Sequence, residues 1–319
     1  GLNIYTKEIV NINKILNQSS NKWKSLPLLS RTHGQAASPT TVGKELKVFS
    51  SRIEREIVKL KSICPLAKFS GAVGNYHAFN IAVDKINWPE FTSKFIKTFN
   101  VYQNPLTTQI EPHDWIAEML QIISRLNNIC IDLSQDMWIY ISNEIFKLKL
   151  NKTEVGSSTM PHKVNPIHFE NSEGNICIAN SLIEGITRKI SISRLQRDLT
   201  DSTILRNIGV VFGYCLVSYK STISGLNRIE INNDILSEEL ENNIVILTEA
   251  MQTIMRKYKI QNSYEKMKNI SRINVTNILH RFDCKQELEN IYNILPEEAQ
   301  FELQELGMHN YIGYSDKFA

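Results

Sequence analysis

With 319 residues, 42% of them apolar and 22% charged, the chain can bury a large core and has room for about two or three domains. A net charge of +3, from Lys and Arg scattered along the whole length, argues against a nucleic-acid-binding stripe. The 5 cysteines (Cys64, Cys130, Cys177, Cys215, Cys284) lack any C-x-x-C and read as free thiols, mostly core fillers, of a reducing cytoplasm. The longest apolar run, Ile208 to Val217, is about half the ~20 residues of a membrane span, and no signal peptide is visible.

Helical periodicity dominates, and alternating strand patterns are almost absent. Ile4 to Leu16 reads as a helix leading into Ser30-Arg31-Thr32-His33-Gly34-Gln35. Val42 to Ile63 carries Leu46, Phe49, Ile53, Ile57 and Leu60 at helical spacing, with charges on the opposite face. From His113 to Val155 there is neither Gly nor Pro, and apolar residues from Trp115 to Phe146 wrap nearly all round. A helix of ~35 residues would run ~50 Å and, apolar on every side, would be buried among other helices. Pro112 suits its first turn, where a missing N–H costs nothing.

Ile167 to Lys189 is the next long helix, and Ser202 is expected to N-cap another through Ser224. Gly209 and Gly213, one turn apart, would let a neighbouring helix come close. Beyond Gly225 the segments shorten and breakers recur. The expected fold is all-α: a long-helix bundle over 1–225, with a loop at 153–166, then a smaller C-terminal helical domain over 226–319. Long buried helices of this kind predict oligomerisation.

The stretch Gly156-Ser157-Ser158-Thr159-Met160-Pro161-His162-Lys163-Val164-Asn165-Pro166 interrupts the helices with residues that cannot build a core. Its hydroxyls, backbone N–H donors and one lysine suit abstraction of a proton beside a carboxylate, where charge builds up and must be stabilised in place. Histidine as a residue type suits a general acid, and His33 is the candidate. The amides of Gln109 and Asn165 suit carboxylates. Arg197, Ser202 and Arg206 suit a phosphate, since an arginine grips a dianion with two parallel bonds and a helix start favours anions. His77, His113, His162 and His168 show no metal-ligand spacing, and no cofactor or metal is expected.

The 156–166 stretch resembles the signature of the fumarase/aspartase superfamily of lyases, in its adenylosuccinate lyase variant. The resemblance extends, in order, through Ser30 to Gln35, Gly71-Ala72-Val73-Gly74-Asn75-Tyr76, Thr107-Thr108-Gln109-Ile110-Glu111-Pro112-His113-Asp114 and Gln196-Arg197-Asp198-Leu199-Thr200-Asp201-Ser202. It implies a C–N lyase that releases fumarate from purine nucleotides, with Ser157 as base, Lys163 as its cation, His33 as acid and Glu170 pairing with that histidine. Thr32, Gln109, Ser158, Met160, Asn165, Arg197, Ser202 and Arg206 would bind substrate. It further implies a cytoplasmic homotetramer with shared sites, a loop closing over the substrate, and small-molecule partners only, without nucleic acid or membrane. Against the family pattern, Ala36 replaces a proline, Phe79 a histidine, and roughly the first third of the usual polypeptide is expected to be missing. The alternatives are a sister lyase acting on argininosuccinate, malate or aspartate, and an inactive fragment or assembly protein of the same superfamily. The phosphate candidates argue against the first.

Overall fold

The computed structural model describes residues 2–149, 160, 163–273 and 280–319, with side chains of 271–273 and 280–284 outside that description. Helices α1 (Leu2–Lys22) and α2 (Val42–Ser62) flank strands β1 (Pro27–Thr32) and β2 (Gln35–Thr41). Then come β3 (Leu66–Ala67), α3 (His77–Ala82), α4 (Trp88–Lys97), β4 (Tyr102–Gln103), α5 (Asp114–Ser142), β5 (Phe146–Leu148) and α6 (Ile167–Lys189). After these follow α7 (Thr200–Leu205), α8 (Ile208–Leu226), β6 (Ile229–Ile231), α9 (Asn233–Asn242), α10 (Thr248–Lys257), α11 (Ser263–Ile273), α12 (His280–Asn293), α13 (Glu297–Leu303) and α14 (Ser315–Phe318). The chain is dominantly helical, as its periodicity predicts. No helix among the described residues is long and apolar enough to cross a membrane.

Two compact units result, one of Gly1–Ile15, Phe49–Ile139 and Leu148–Ile229, the other of Leu16–Val48, Tyr140–Lys147 and Glu230–Ala319. In the first, α6 and α8 pack side by side. The stripe Phe169, Ile176, Ala179, Ile183 on α6 is buried with Val211, Cys215 and Tyr219 of α8. They come close at Gly225, where any Cβ would lie 2.8 Å from the ring of Phe169. Gly209 and Gly213, expected to admit a neighbour, have nothing within 4 Å of a built Cβ in this chain. Of the four described cysteines, Cys130 and Cys215 are buried as expected of core fillers, while Cys64 and Cys177 are exposed.

A buried polar chain runs through this core. The Tyr5 and Tyr219 hydroxyls lie 2.7 Å apart, Tyr219 donates to Asn127 Oδ1 at 2.6 Å, and Asn127 Nδ2 donates to Asn180 Oδ1 at 2.8 Å. Such groups are tolerated in a core because each is paired. Tyr219→Phe leaves partners short of a bond and is expected to cost about 1–3 kcal/mol, read as a lower urea midpoint at unchanged slope.

In the second unit, Met251, Met255, Met267, Ile270, Leu288, Leu295, Ala299 and Leu303 form one core. A smaller cluster of Leu29, Leu240, Leu247 and Met308 seats β1 against the C-terminal helices.

Two expectations on helix ends are corrected. The helix from His113 stops at Ser142 rather than running on toward Val155. Ile145 N–H reaches the Tyr140 carbonyl at 2.9 Å and Glu144 N–H the Ile141 carbonyl at 3.0 Å, with Glu144 at φ 59. This is a Schellman stop with glutamate in the position that usually takes glycine. Ser202, expected as an N-cap, lies inside α7. Asp198 starts that helix by accepting from Thr200 N–H at 2.9 Å, and a turn at Asn207 separates α7 from α8.

Candidate active site

His33 and Gly34 are the two residues joining β1 to β2, with Thr32 opposite Gln35. Both have positive φ, 53 and 75, as a type I′ hairpin turn requires. Gly34 takes that conformation freely and histidine takes it tolerably. Thr32 and His33 are exposed at the tip, so the imidazole projects from a stiff hairpin instead of a helix or loose loop. The hairpin is tied down within its unit. Arg31 pairs with Glu239 at 2.5 Å, Ser38 hydrogen-bonds Glu249, and the Tyr311 hydroxyl donates to the same carboxylate at 2.9 Å. Burial, then the Glu249 carboxylate, pushes the Tyr311 hydroxyl up to about 12, so it stays a donor at neutral pH.

In the other unit three loops converge. Lys68 places its ammonium on the carbonyls of Gly71 (2.6 Å), Gln109 (2.8 Å) and Thr108 (3.2 Å), so one cation gathers two loops. Burial lowers its pKa. The third loop joins through Gln109, whose N–H donates to the Gln196 carbonyl at 3.2 Å and whose Oε1 accepts from Arg197 Nη1 at 3.5 Å. Gln109 and Arg197, singled out for carboxylate and phosphate, are therefore neighbours. Arg197 does not pair with adjacent Asp198, which instead holds Arg194 at 3.1 Å. Bonds from Thr200 hold the Asp198 carboxyl down to about 2. Ser202 is part-buried in α7 and Arg206 is exposed at its end.

Behind this cradle sit two buried carboxylates with a histidine between them. His113 Nδ1 is 3.5 Å from Glu111 and its Nε2 is 3.6 Å from Asp201. Burial pushes the Glu111 carboxyl up, but bonds from His113 and Asn104 outweigh it and leave its pKa lowered. The composition of the 107–114 motif hinted at a site, but His113 was not singled out as part of it. Its signal was a histidine two residues after a glutamate at a helix start.

Glu170 lies in the first turn of α6, exposed, and accepts from the Trp138 indole at 3.1 Å. Gln135 bonds Glu173 beside it at 2.9 Å, and these residues line a shallow cleft with Ile139 and Cys177. Lys163 is exposed and Asn165 half-buried just before α6, and Met160 is exposed. Ser157 and Ser158, with most of the 153–166 loop, lie outside the described residues. Among the described residues no cluster of three or more His, Cys, Asp or Glu has the arrangement of a metal site.

The chain is similar to known proteins over most of its length. Residues 2–179 match a family profile described as lyase, and residues 193–312 one described as adenylosuccinate lyase C-terminal. The chain is 45% identical to the adenylosuccinate lyase of Escherichia coli K12 over 293 residues, covering 92% of this chain and 63% of that protein. Against the enzyme named likewise in Haemophilus influenzae the figures are 47%, 92% and 63%, and in Dictyostelium discoideum 44%, 95% and 65%. The chain thus spans just under two thirds of the length of these relatives. Its fold matches a fumarate lyase from Mesorhizobium sp. BNC1 with a TM-score of 0.79 at 19% identity, covering 100% of this chain and 71% of that one. A 3-carboxy-cis,cis-muconate lactonizing enzyme from Pseudomonas putida matches at 0.77 and 15%, covering 99% and 70%. Matched over more than half its length by the lyase profile and over most of the rest by the C-terminal one, the chain belongs to the adenylosuccinate lyase family.

Proposed function

We propose that the protein is an amidine-type C–N lyase that removes fumarate from adenylosuccinate, giving AMP, and from succinylaminoimidazole carboxamide ribotide. The observation that carries this reading is the contact of Gln109 with Arg197, which brings a carboxylate-binding amide and a phosphate-binding guanidinium into one polar cradle. Ser157 takes the proton beside the carboxylate. Lys163 and Asn165 hold the charge that accumulates on the carboxylate oxygens, and His33 gives a proton to the leaving nitrogen. Thr32, Ser158 and Met160 line the substrate, Gln109 takes a carboxylate, and Arg197, Ser202 and Arg206 take the phosphate.

Glu170 orients His33 when the two meet in the assembled enzyme. The assembly is a cytoplasmic homotetramer whose sites draw on several copies. Support comes from the outer face of α5 and α6, where Trp138, Ile139 and Ile178 are 44%, 47% and 47% exposed beside Glu170, too apolar a strip to be left to water.

Fumarate release from adenylosuccinate, argininosuccinate, malate and aspartate tests the reading. The expected outcome is turnover of adenylosuccinate alone, with AMP as competitive inhibitor. Turnover of a substrate without phosphate would point to a sister lyase, and no turnover of any would point to an inactive fragment or assembly protein.

A further inference from the structure

The Glu111–His113–Asp201 cluster has no role in the chemistry above, yet it is among the most constrained features of its unit. Glu111 is 7% exposed and Asp201 4%, burial that an ionised carboxylate resists without compensation. His113 holds φ 67, a left-handed conformation that a residue with a Cβ adopts only under constraint. Its constraint is visible on both sides. The His113 N–H donates to Glu111 Oε2 at 2.7 Å, and its carbonyl accepts from Ile116 and Ala117, starting α5. Asn104 holds the other Glu111 oxygen at 3.0 Å, so the carboxylate is fixed before it meets the imidazole.

The imidazole spans from the start of α5 to α7, pairing residues 88 positions apart in the chain. Neither Asp201 Oδ1 nor His113 Nε2 has a hydrogen-bond partner, and Nε2 faces Oδ2 at 3.6 Å, within ion-pair reach. The Glu111 carboxylate first, and Asp201 behind it, outweigh burial and raise the His113 pKa. Two other ties join the same segments, the Gln109 to Gln196 backbone bond and the Arg197 to Gln109 contact, and both lie at the exposed rim. The buried tie is at His113, one residue from Ser202 through Asp201.

We propose that His113 is a positioning residue for the anion end of the site: held by Glu111 and facing Asp201 at ion-pair distance, it fixes α7, with Ser202 and Arg206, against the loop that carries Gln109. This rests on the functional reading above. His113 touches no reacting atom. It sets where the phosphate-binding groups stand before the nucleotide arrives, so its loss falls on binding and spares the chemical step.

The test uses the intact protein and AMP as probe, comparing wild type, His113→Gln, Asp201→Asn and the double variant by calorimetric titration and by turnover. His113→Gln is expected to raise the AMP dissociation constant and the adenylosuccinate KM at least about tenfold, with kcat within about threefold. Asp201→Asn separates a clamp from simple charge. Removing a carboxylate beside a phosphate site would by electrostatics alone tighten AMP binding, whereas loss of the clamp weakens it. The double variant is expected to be no weaker than His113→Gln alone, because the two residues act as one unit.

Tighter AMP binding in Asp201→Asn, additive losses, or an unchanged dissociation constant in His113→Gln each overturn the proposal. Asp201→Asn, nearly isosteric, carries the test by itself if His113→Gln does not fold. A wild type that binds no AMP removes the functional reading itself. A wild type that binds AMP, with variants binding equally well, removes only the role of His113.

Discussion

His33→Asn is expected to lower kcat for adenylosuccinate cleavage by about 10²–10⁴-fold, the usual worth of a positioned general acid, while leaving the melting temperature at or slightly above wild type. The combination follows from the place of His33 in the chain. It occupies the first position of a two-residue type I′ turn at φ 53, and asparagine suits that position better than histidine does. The substituted hairpin should form as readily as the original, with Arg31, Ser38 and the turn partner Thr32–Gln35 unaffected. What disappears is the titrating nitrogen.

The control is Ser157→Ala, which removes the proposed base and should cost a similar factor. Because the two groups serve the two ends of one elimination, the double variant should be far less impaired than the product of the single losses. Steady-state fumarate release and differential scanning calorimetry on the same preparations check both halves. A His33→Asn enzyme that keeps a kcat within threefold of wild type would remove His33 from the mechanism.

The hairpin bearing His33 was also the part of the fold least legible in the sequence. Pro27-Leu28-Leu29-Ser30-Arg31-Thr32 and Gln35-Ala36-Ala37-Ser38-Pro39-Thr40-Thr41 lack apolar–polar alternation, and a proline inside the second strand argues against a strand by itself. The pairing is secured by Leu29 buried against Leu240, Leu247 and Met308, a contact with residues 211 to 279 positions away that no local pattern encodes. The one local signal was Gly34, second in a two-residue turn.

Helices were read more closely. Val42–Ser62 and Ile167–Lys189 match expectation nearly to the residue, since a stripe such as Leu46, Phe49, Ile53, Ile57 and Leu60 needs only its own period to be recognised. The end of α5 was misjudged because its left-handed stop falls on Glu144, which carries none of the signal that glycine would. Gln109, Arg197, Ser202 and Arg206 were picked out as candidates by side-chain chemistry alone. That Gln109 touches Arg197 depends on the carbonyls gathered by Lys68 and on the backbone bond to Gln196, which no composition reveals.

Gly74→Ala is expected to cost kcat/KM at least about 10²-fold, and Gly71→Ala less than about threefold, although both glycines have nearly the same φ. At φ 84 and 83 each residue sits in the left-handed region, so either alanine carries a strain of about 1–2 kcal/mol. The difference is space. A Cβ on Gly71 meets nothing nearer than the Tyr76 backbone at 3.8 Å, an ordinary contact. A Cβ on Gly74 would stand 2.1 Å from the Thr107 carbonyl oxygen and 3.1 Å from that of Thr108, and backbone cannot swing away as a side-chain tip can.

The 107–109 segment is expected to give way by about an ångström or more, and it carries two of the three carbonyls that Lys68 binds and the Gln109 amide itself. A displacement of that size at a group that orients substrate is worth about a hundredfold in rate. Both variants should unfold at similar denaturant concentrations, since the shared strain is local and the clash is relieved by loop movement instead of by opening the helical core. Equal activity in the two would mean that the 71–76 turn yields in place of the Gln109 loop, and that Gln109 is not held where the cradle requires it.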